Sequence, residues 1–176
     1  MNTEIHRKMP AQKPGLSKQD YATPREFINA VEDRFGKLRF DLAAHKRNTR
    51  CKLYYSLEEG VDSLGKDWTK LTGNLWLNPP FADIEPWARK CWESTSGSNS
   101  YIQIFFLTPA SVGANWFADH VWHRAQILFL RGRLSFDGVA PYPKDCMLSV
   151  FGGGRATGCN LWDWRAPLSS SVRPRR

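Results

Sequence analysis

Apolar positions along this chain fall into patches whose period changes. Phe27, Val31 and Phe35 recur at helical spacing behind Thr23-Pro24-Arg25-Glu26. That tetrapeptide reads as a capping box with proline at the first helical position, and Gly36 suits the residue just past the end. A helix is predicted over about residues 24 to 35. Leu38, Phe40 and Leu42 then alternate with Lys37, Arg39 and Asp41, which predicts a short strand with Asp41 near its carboxyl end. Leu53 to Ser56 suits a second short strand, and Gly60, Gly65 and Gly73 break the stretch that follows. Leu75 to Leu77 is a third strand. Asp83 is a candidate cap for a helix over 84 to about 94, with Trp87 and Cys91 on one face. Tyr101 to Leu107 is continuously apolar, as expected of a strand buried on both faces. A helix around 114 to 122 follows. Ala125 to Leu130 and Leu134 to Phe136 then flank Arg131-Gly132-Arg133 as a hairpin, and Met147 to Phe151 makes a further strand. From Gly152 onward the periodicity is lost. Strands alternating with helices early, then a run of strands late, predict an α/β sheet with an antiparallel end.

Composition adds bounds to this outline. A chain of 176 residues favours one domain and buries roughly 70% of its unfolded surface without needing a staple. Residues 1 to 20 are polar, with Pro10, Pro14 and Gly15, and read as a mobile arm. The folded domain is expected over 21 to 164, and 165 to 176 reads as a basic tail ending in Arg173, Arg175 and Arg176. The net charge of +8 favours a polyanionic partner over a merely soluble surface. Cys51, Cys91, Cys146 and Cys159 form no C-x-x-C pair and no zinc-ligand spacing, so reduced thiols are expected, with no metal. Cys91 and Cys146 fall in a helical and a strand pattern as small apolar fillers. No apolar run reaches membrane-span length and no secretory h-region is visible, so a cytoplasmic protein is expected.

The densest chemistry sits at Asn78-Pro79-Pro80-Phe81, directly after Leu75-Trp76-Leu77. Each proline fixes its own φ, lacks an N–H and pushes the preceding residue toward extended backbone. The Asn78 side chain and the Pro79 carbonyl are thereby held in nearly fixed directions, beside the flat face of Phe81. Two acceptors and a ring suit a planar base with an exocyclic amine. A proline-rich turn with a core phenylalanine accounts for the same residues. In open α/β sheets ligands bind beyond the carboxyl ends of strands, and Asp41 and Asn78 both fall on that edge.

The order of segments narrows the choice. Thr23-Pro24-Arg25-Glu26-Phe27, Phe40-Asp41-Leu42-Ala43-Ala44, Tyr54-Tyr55, Asp62-Ser63-Leu64, Trp68 and Leu75 to Phe81 come in turn. Phe106 to Ala110, Asn115-Trp116-Phe117 and Arg131 to Phe136 follow. Over roughly 20 to 152 this series resembles the small phage-type DNA N-6-adenine methyltransferases, the phage Dam-like family. The resemblance implies a Rossmann-like S-adenosylmethionine-dependent methyltransferase sheet, mostly parallel with an antiparallel end. It implies methyl transfer from S-adenosylmethionine to adenine N6 in DNA, double-stranded and with the base flipped out, inside the bacterial cell if phage-encoded. Asn78, Pro79, Pro80 and Phe81 become the catalytic motif. Thr23, Pro24, Asp41, Ala43, Asp62 and Asn78 become the cofactor candidates, with Asp67 competing for the role of Asp62. Thr23-Pro24 would lie against the methionine end of the cofactor. Ala43 and Ala44 stand where related enzymes usually carry a glycine-rich loop, a variation the phage-type family shares.

Lys46, Arg47, Arg50, Arg131 and Arg133 are the DNA-contact candidates, although a charge run is often a solvated face. Two rivals remain at this level. One is an amino methyltransferase acting on cytosine N4, RNA adenine or a protein glutamine amide. The other is a DNA-binding protein of methyltransferase fold without activity, kept open by the missing glycine-rich loop.

Overall fold

The structure, a computed structural model, describes residues 22–97, 101–136, 140–154 and 157–167. The expected arm and the last three arginines lie outside these residues. The elements run α1 (Arg25–Phe35), β1 (Leu38–Asp41), β2 (Leu53–Tyr54), β3 (Gly73–Leu77), α2 (Glu85–Thr95), β4 (Ile102–Pro109), α3 (Asn115–His120), β5 (Gln126–Leu130), β6 (Cys146–Gly152) and β7 (Gly158–Trp162). Single 3₁₀ turns at Leu57–Glu59, Ser63–Gly65 and Trp68–Lys70 fill the stretch expected to be irregular.

The strands form a mixed, mostly parallel sheet of order β2-β1-β3-β4-β6-β5-β7. β6 runs antiparallel to both its neighbours, whereas the other pairings are parallel. The carboxyl ends of β1, β3, β4, β5 and β7 therefore share one edge. Strand pleating sorts side chains to two cores. Trp76, Phe105, Leu107, Leu148 and Val150 face α1, which contributes Phe27, Ile28 and Val31. Leu75, Leu77, Ile104, Phe106 and Met147 face α2 and α3, which contribute Ala88, Cys91 and Phe117, with Val121 just past the end of α3. The continuous apolar run of β4 is thus covered on both sides, as its composition predicts.

Four local expectations are corrected. Helix α1 starts at Arg25 with Pro24 as its cap residue and no side-chain cap. The Pro24 carbonyl accepts from Phe27 N at 3.1 Å and Ile28 N at 3.2 Å, so backbone satisfies the first turn and Thr23 is released. Asp83 likewise does not cap α2, whose cap residue is Ile84 with Pro86 in the first turn. Leu134 to Phe136 is not a strand. Leu134 and Phe136 turn into the α1-side core, and Tyr142 N donates to the Leu134 carbonyl at 2.7 Å. Their alternation marks a buried irregular segment, so Arg131-Gly132-Arg133 is not a hairpin turn. Finally, the aperiodic stretch after Gly152 contains β7, which pairs with β5 and brings Trp162 and Trp164 into the core.

Candidate active site

Strand β1 crosses over to β2 on one side, whereas the chain later returns to β3 on the other. A crevice opens at that switch of direction, above the carboxyl ends of β1 and β3, where α/β sheets place ligands. Its lining includes Thr23, Asp41, Ala43, Asp62, Asn78 and Pro80. With Arg50, seven of the residues singled out from sequence therefore meet in one place, although they come from separate segments of the chain. His45, Asn48, Tyr55 and Trp87 line it as well and were not singled out as site residues. For Tyr55 the Tyr54-Tyr55 pair was the available signal; Trp87 read only as a helix packing face.

Asp41 is 3% exposed. Its Oδ1 accepts from Ala43 N at 3.3 Å and its Oδ2 from Arg50 N at 3.2 Å, which curls residues 42 to 50 around the carboxylate. Burial raises its pKa from 3.8 to about 6, against the pull of those two N–H groups, the Thr49 side chain and the Arg50 charge. The Arg50 guanidinium reaches across to donate to the carbonyl of Thr23. Arg50 thus lines the crevice, whereas Lys46 and Arg47 from the same basic cluster are exposed on its outer side.

Asn78 follows the buried end of β3, and its Nδ2 donates to Thr23 Oγ1 at 3.2 Å. This contact joins positions 55 residues apart and explains where the uncapped Thr23 hydroxyl goes. Pro79 is buried, while Pro80 is exposed at the crevice mouth. Phe81 turns to the other side of the motif. Its half-buried ring packs edge to face on Phe136 and Tyr142, with centroids 6.2 and 5.8 Å away. Such T-shaped contacts hold the ring plane at a fixed angle.

Asp62 and Asp67 play the same local part. Each caps a 3₁₀ turn, Asp62 through Leu64 N and Asp67 through Thr69 N. The crevice separates them, because Asp62 lines it and Asp67 does not. On the far side of the edge, Arg131 pairs with Asp163 at 3.0 Å and Arg133 with Asp145 at 3.6 Å. Arg165 stacks on Trp164 at 3.9 Å and donates to the Arg133 carbonyl at 3.1 Å. Gly132 has φ +77°, and a Cβ there would lie 2.7 Å from the Arg165 guanidinium, so this basic loop is built around a glycine.

Comparison with known proteins bears on this geometry. The family described as DNA N-6-adenine-methyltransferase (Dam) matches residues 11–149. The chain belongs to the Dam family. It is also 32% identical over 124 residues to the DNA N-6-adenine-methyltransferase of Escherichia phage T1, covering 70% of this chain. The chain spans 50% of the length of that relative. The Dam match contains every crevice residue named above and both arginines of the 131–133 loop. It ends at Ser149 inside β6, so β7 and the Trp164–Arg165 stack of this Dam-family chain lie beyond it.

Proposed function

We propose that this chain transfers a methyl group from S-adenosylmethionine to adenine N6 in DNA, on a Rossmann-like methyltransferase sheet. The observation that carries the reading is the meeting of Asp41 and Asn78 in one crevice at the switch point of the sheet. Within a family of this description, that is where a nucleoside cofactor and an amine acceptor have to be neighbours.

The lining supports the cofactor. Tyr55, Leu57 and Trp87 supply apolar and aromatic walls for a planar base. Asp41 and Asp62 supply carboxylate acceptors at two depths, one buried and one at the rim. Ala43 and Ala44 keep the β1 turn small without glycine. We assign Asp62 rather than Asp67 to the cofactor on its place in the lining. When bound, S-adenosylmethionine supplies an electrophilic methyl group.

The adenine amine is a poor nucleophile, because its lone pair is conjugated into the ring. Asn78 Oδ1 and the Pro79 carbonyl accept its hydrogens as the nitrogen becomes pyramidal, an interaction stronger in the transition state than in the ground state. Most of the remaining acceleration comes from holding donor and acceptor in line. Phe81, fixed in angle by Phe136 and Tyr142, forms an aromatic wall for the extruded base, worth ~1–3 kcal/mol by analogy with other base–aromatic stacks. Extrusion itself costs a few kcal/mol.

DNA lies, on this reading, across the shared carboxyl edge. Lys46 and Arg47 follow β1, Arg131 and Arg133 follow β5, and the motif of β3 sits between them. Phosphates would replace Asp163 and Asp145 as partners of Arg131 and Arg133, a cheap exchange because exposed ion pairs contribute ~0–1 kcal/mol. Incubation with methyl-labelled S-adenosylmethionine and duplex DNA should move label into the DNA, and no incorporation would overturn the assignment. Binding should weaken with salt, with a log–log slope of about −0.9 per phosphate neutralised. Lys46→Ala/Arg47→Ala should make that slope shallower by about 2 in a filter-binding titration. An unchanged slope removes this cluster from the interface.

A further inference from the structure

We propose that Thr23 is a positioning residue for methyl transfer, acting through the amide of Asn78. The inference rests on the proposed role of Asn78 as acceptor of the target amine. Thr23 stands one residue before Pro24, the cap residue of α1, and no side chain caps the helix. The hydroxyl is 2% exposed and instead takes the Nδ2 hydrogen bond of Asn78 at 3.2 Å. Both sides of this contact are rigidly mounted. Pro24 restricts Thr23 to extended backbone, and the Thr23 carbonyl is held by the Arg50 guanidinium. Arg50 is in turn anchored by its own N–H on Asp41 Oδ2 at 3.2 Å. Asn78 is mounted on the buried end of β3 and followed by two prolines.

The chemistry needs this contact because the two ends of an amide have opposite roles. An amine being methylated offers N–H donors, so it has to meet Oδ1; an amide turned the other way would set donor against donor. The Thr23 contact holds the amide plane, and on the proposed function Oδ1 is the end that meets the amine. A side chain free to rotate would lose that orientation at every turnover, and misplacement of a reacting contact is costly.

The test is a double-mutant cycle on the full chain. Thr23→Val removes the hydroxyl and keeps the β-branched shape; Thr23→Ser keeps the hydroxyl. Single-turnover transfer is measured with saturating cofactor and DNA, and cofactor affinity by calorimetry. Thr23→Val should slow transfer by about 5- to 100-fold, the range for losing one partner of a buried hydrogen bond. Any loss of cofactor affinity should be smaller than the loss of transfer rate, and Thr23→Ser should recover most of the rate. In an Asn78→Ala background Thr23→Val should cost less than about threefold, because the group it positions is gone.

Equal losses in both backgrounds would overturn the inference while leaving the proposed function standing. So would a Thr23→Val effect confined to cofactor affinity, which would make Thr23 a cofactor contact. Undiminished transfer by Asn78→Ala alone would remove Asn78 from the chemistry and overturn the inference, whereas no transfer by the parent chain would overturn the proposed function itself.

Discussion

Asn78→Ala should slow single-turnover transfer by about 2–4 kcal/mol, roughly 30- to 1,000-fold, the range for removing one preorganised acceptor from a developing charge. The loss should appear in the rate at saturation rather than in affinity, because the acceptor matters most as the amine becomes pyramidal. The fold should survive. Pro79 and Pro80 still fix the turn, and Leu75, Trp76 and Leu77 still bury β3 from both faces. Phe81 stays clamped by Phe136 and Tyr142. Thr23 would lose its side-chain partner, but its carbonyl keeps Arg50. A rapid-quench measurement with labelled cofactor checks this; an unaltered transfer rate would exclude Asn78 from the chemistry.

Asp41→Ala should weaken S-adenosylmethionine binding by about 10- to 100-fold, as expected for losing a charged hydrogen-bond acceptor. In the parent, affinity should fall as pH drops through about 6, where the buried carboxyl takes up its proton. Affinity of the variant should be flat over that range. Stability responds with the opposite sense. The folded pKa is about 6 against 3.8 for an ordinary aspartate, so between these values the folded state holds the proton more tightly than the unfolded chain. Stability contributed by this group is therefore lost as pH rises from about 4 to about 6, reaching roughly 3 kcal/mol above that window. Asp41→Ala should flatten this part of the denaturation midpoint–pH curve. Calorimetry giving equal affinity for variant and parent at neutral pH would end the cofactor assignment.

Much of this arrangement was legible in the chain because it rests on local rules. Tyr101 to Leu107 announces β4 by being apolar without interruption. Leu38 to Leu42 announces β1 by alternation, which sets Asp41 near a strand end. Two prolines after Leu77 fix where β3 stops, and hence where Asn78 stands.

What stayed hidden depends on distant partners. Four of the five residues of β7 are exposed, so no alternation marks it; it exists because β5 offers an open edge. Thr23 satisfies the pattern of a helix cap, but a buried amide 55 residues away competes for its hydroxyl and wins. Arg50 sits among equally charged neighbours, and charge alone does not say which one folds inward onto Thr23. Asp62 and Asp67 carry out the same capping chemistry, and their places relative to the crevice separate them.

Methyl transfer to adenine N6 is tested most directly by the product. DNA incubated with the purified chain and S-adenosylmethionine, then digested to nucleosides, can be read by mass spectrometry. The account predicts N6-methyldeoxyadenosine with no N4-methyldeoxycytidine, and none from Asn78→Ala at times short against its slowed rate. Methyl groups found on cytosine alone, or on RNA or protein with unmodified DNA, would contradict it.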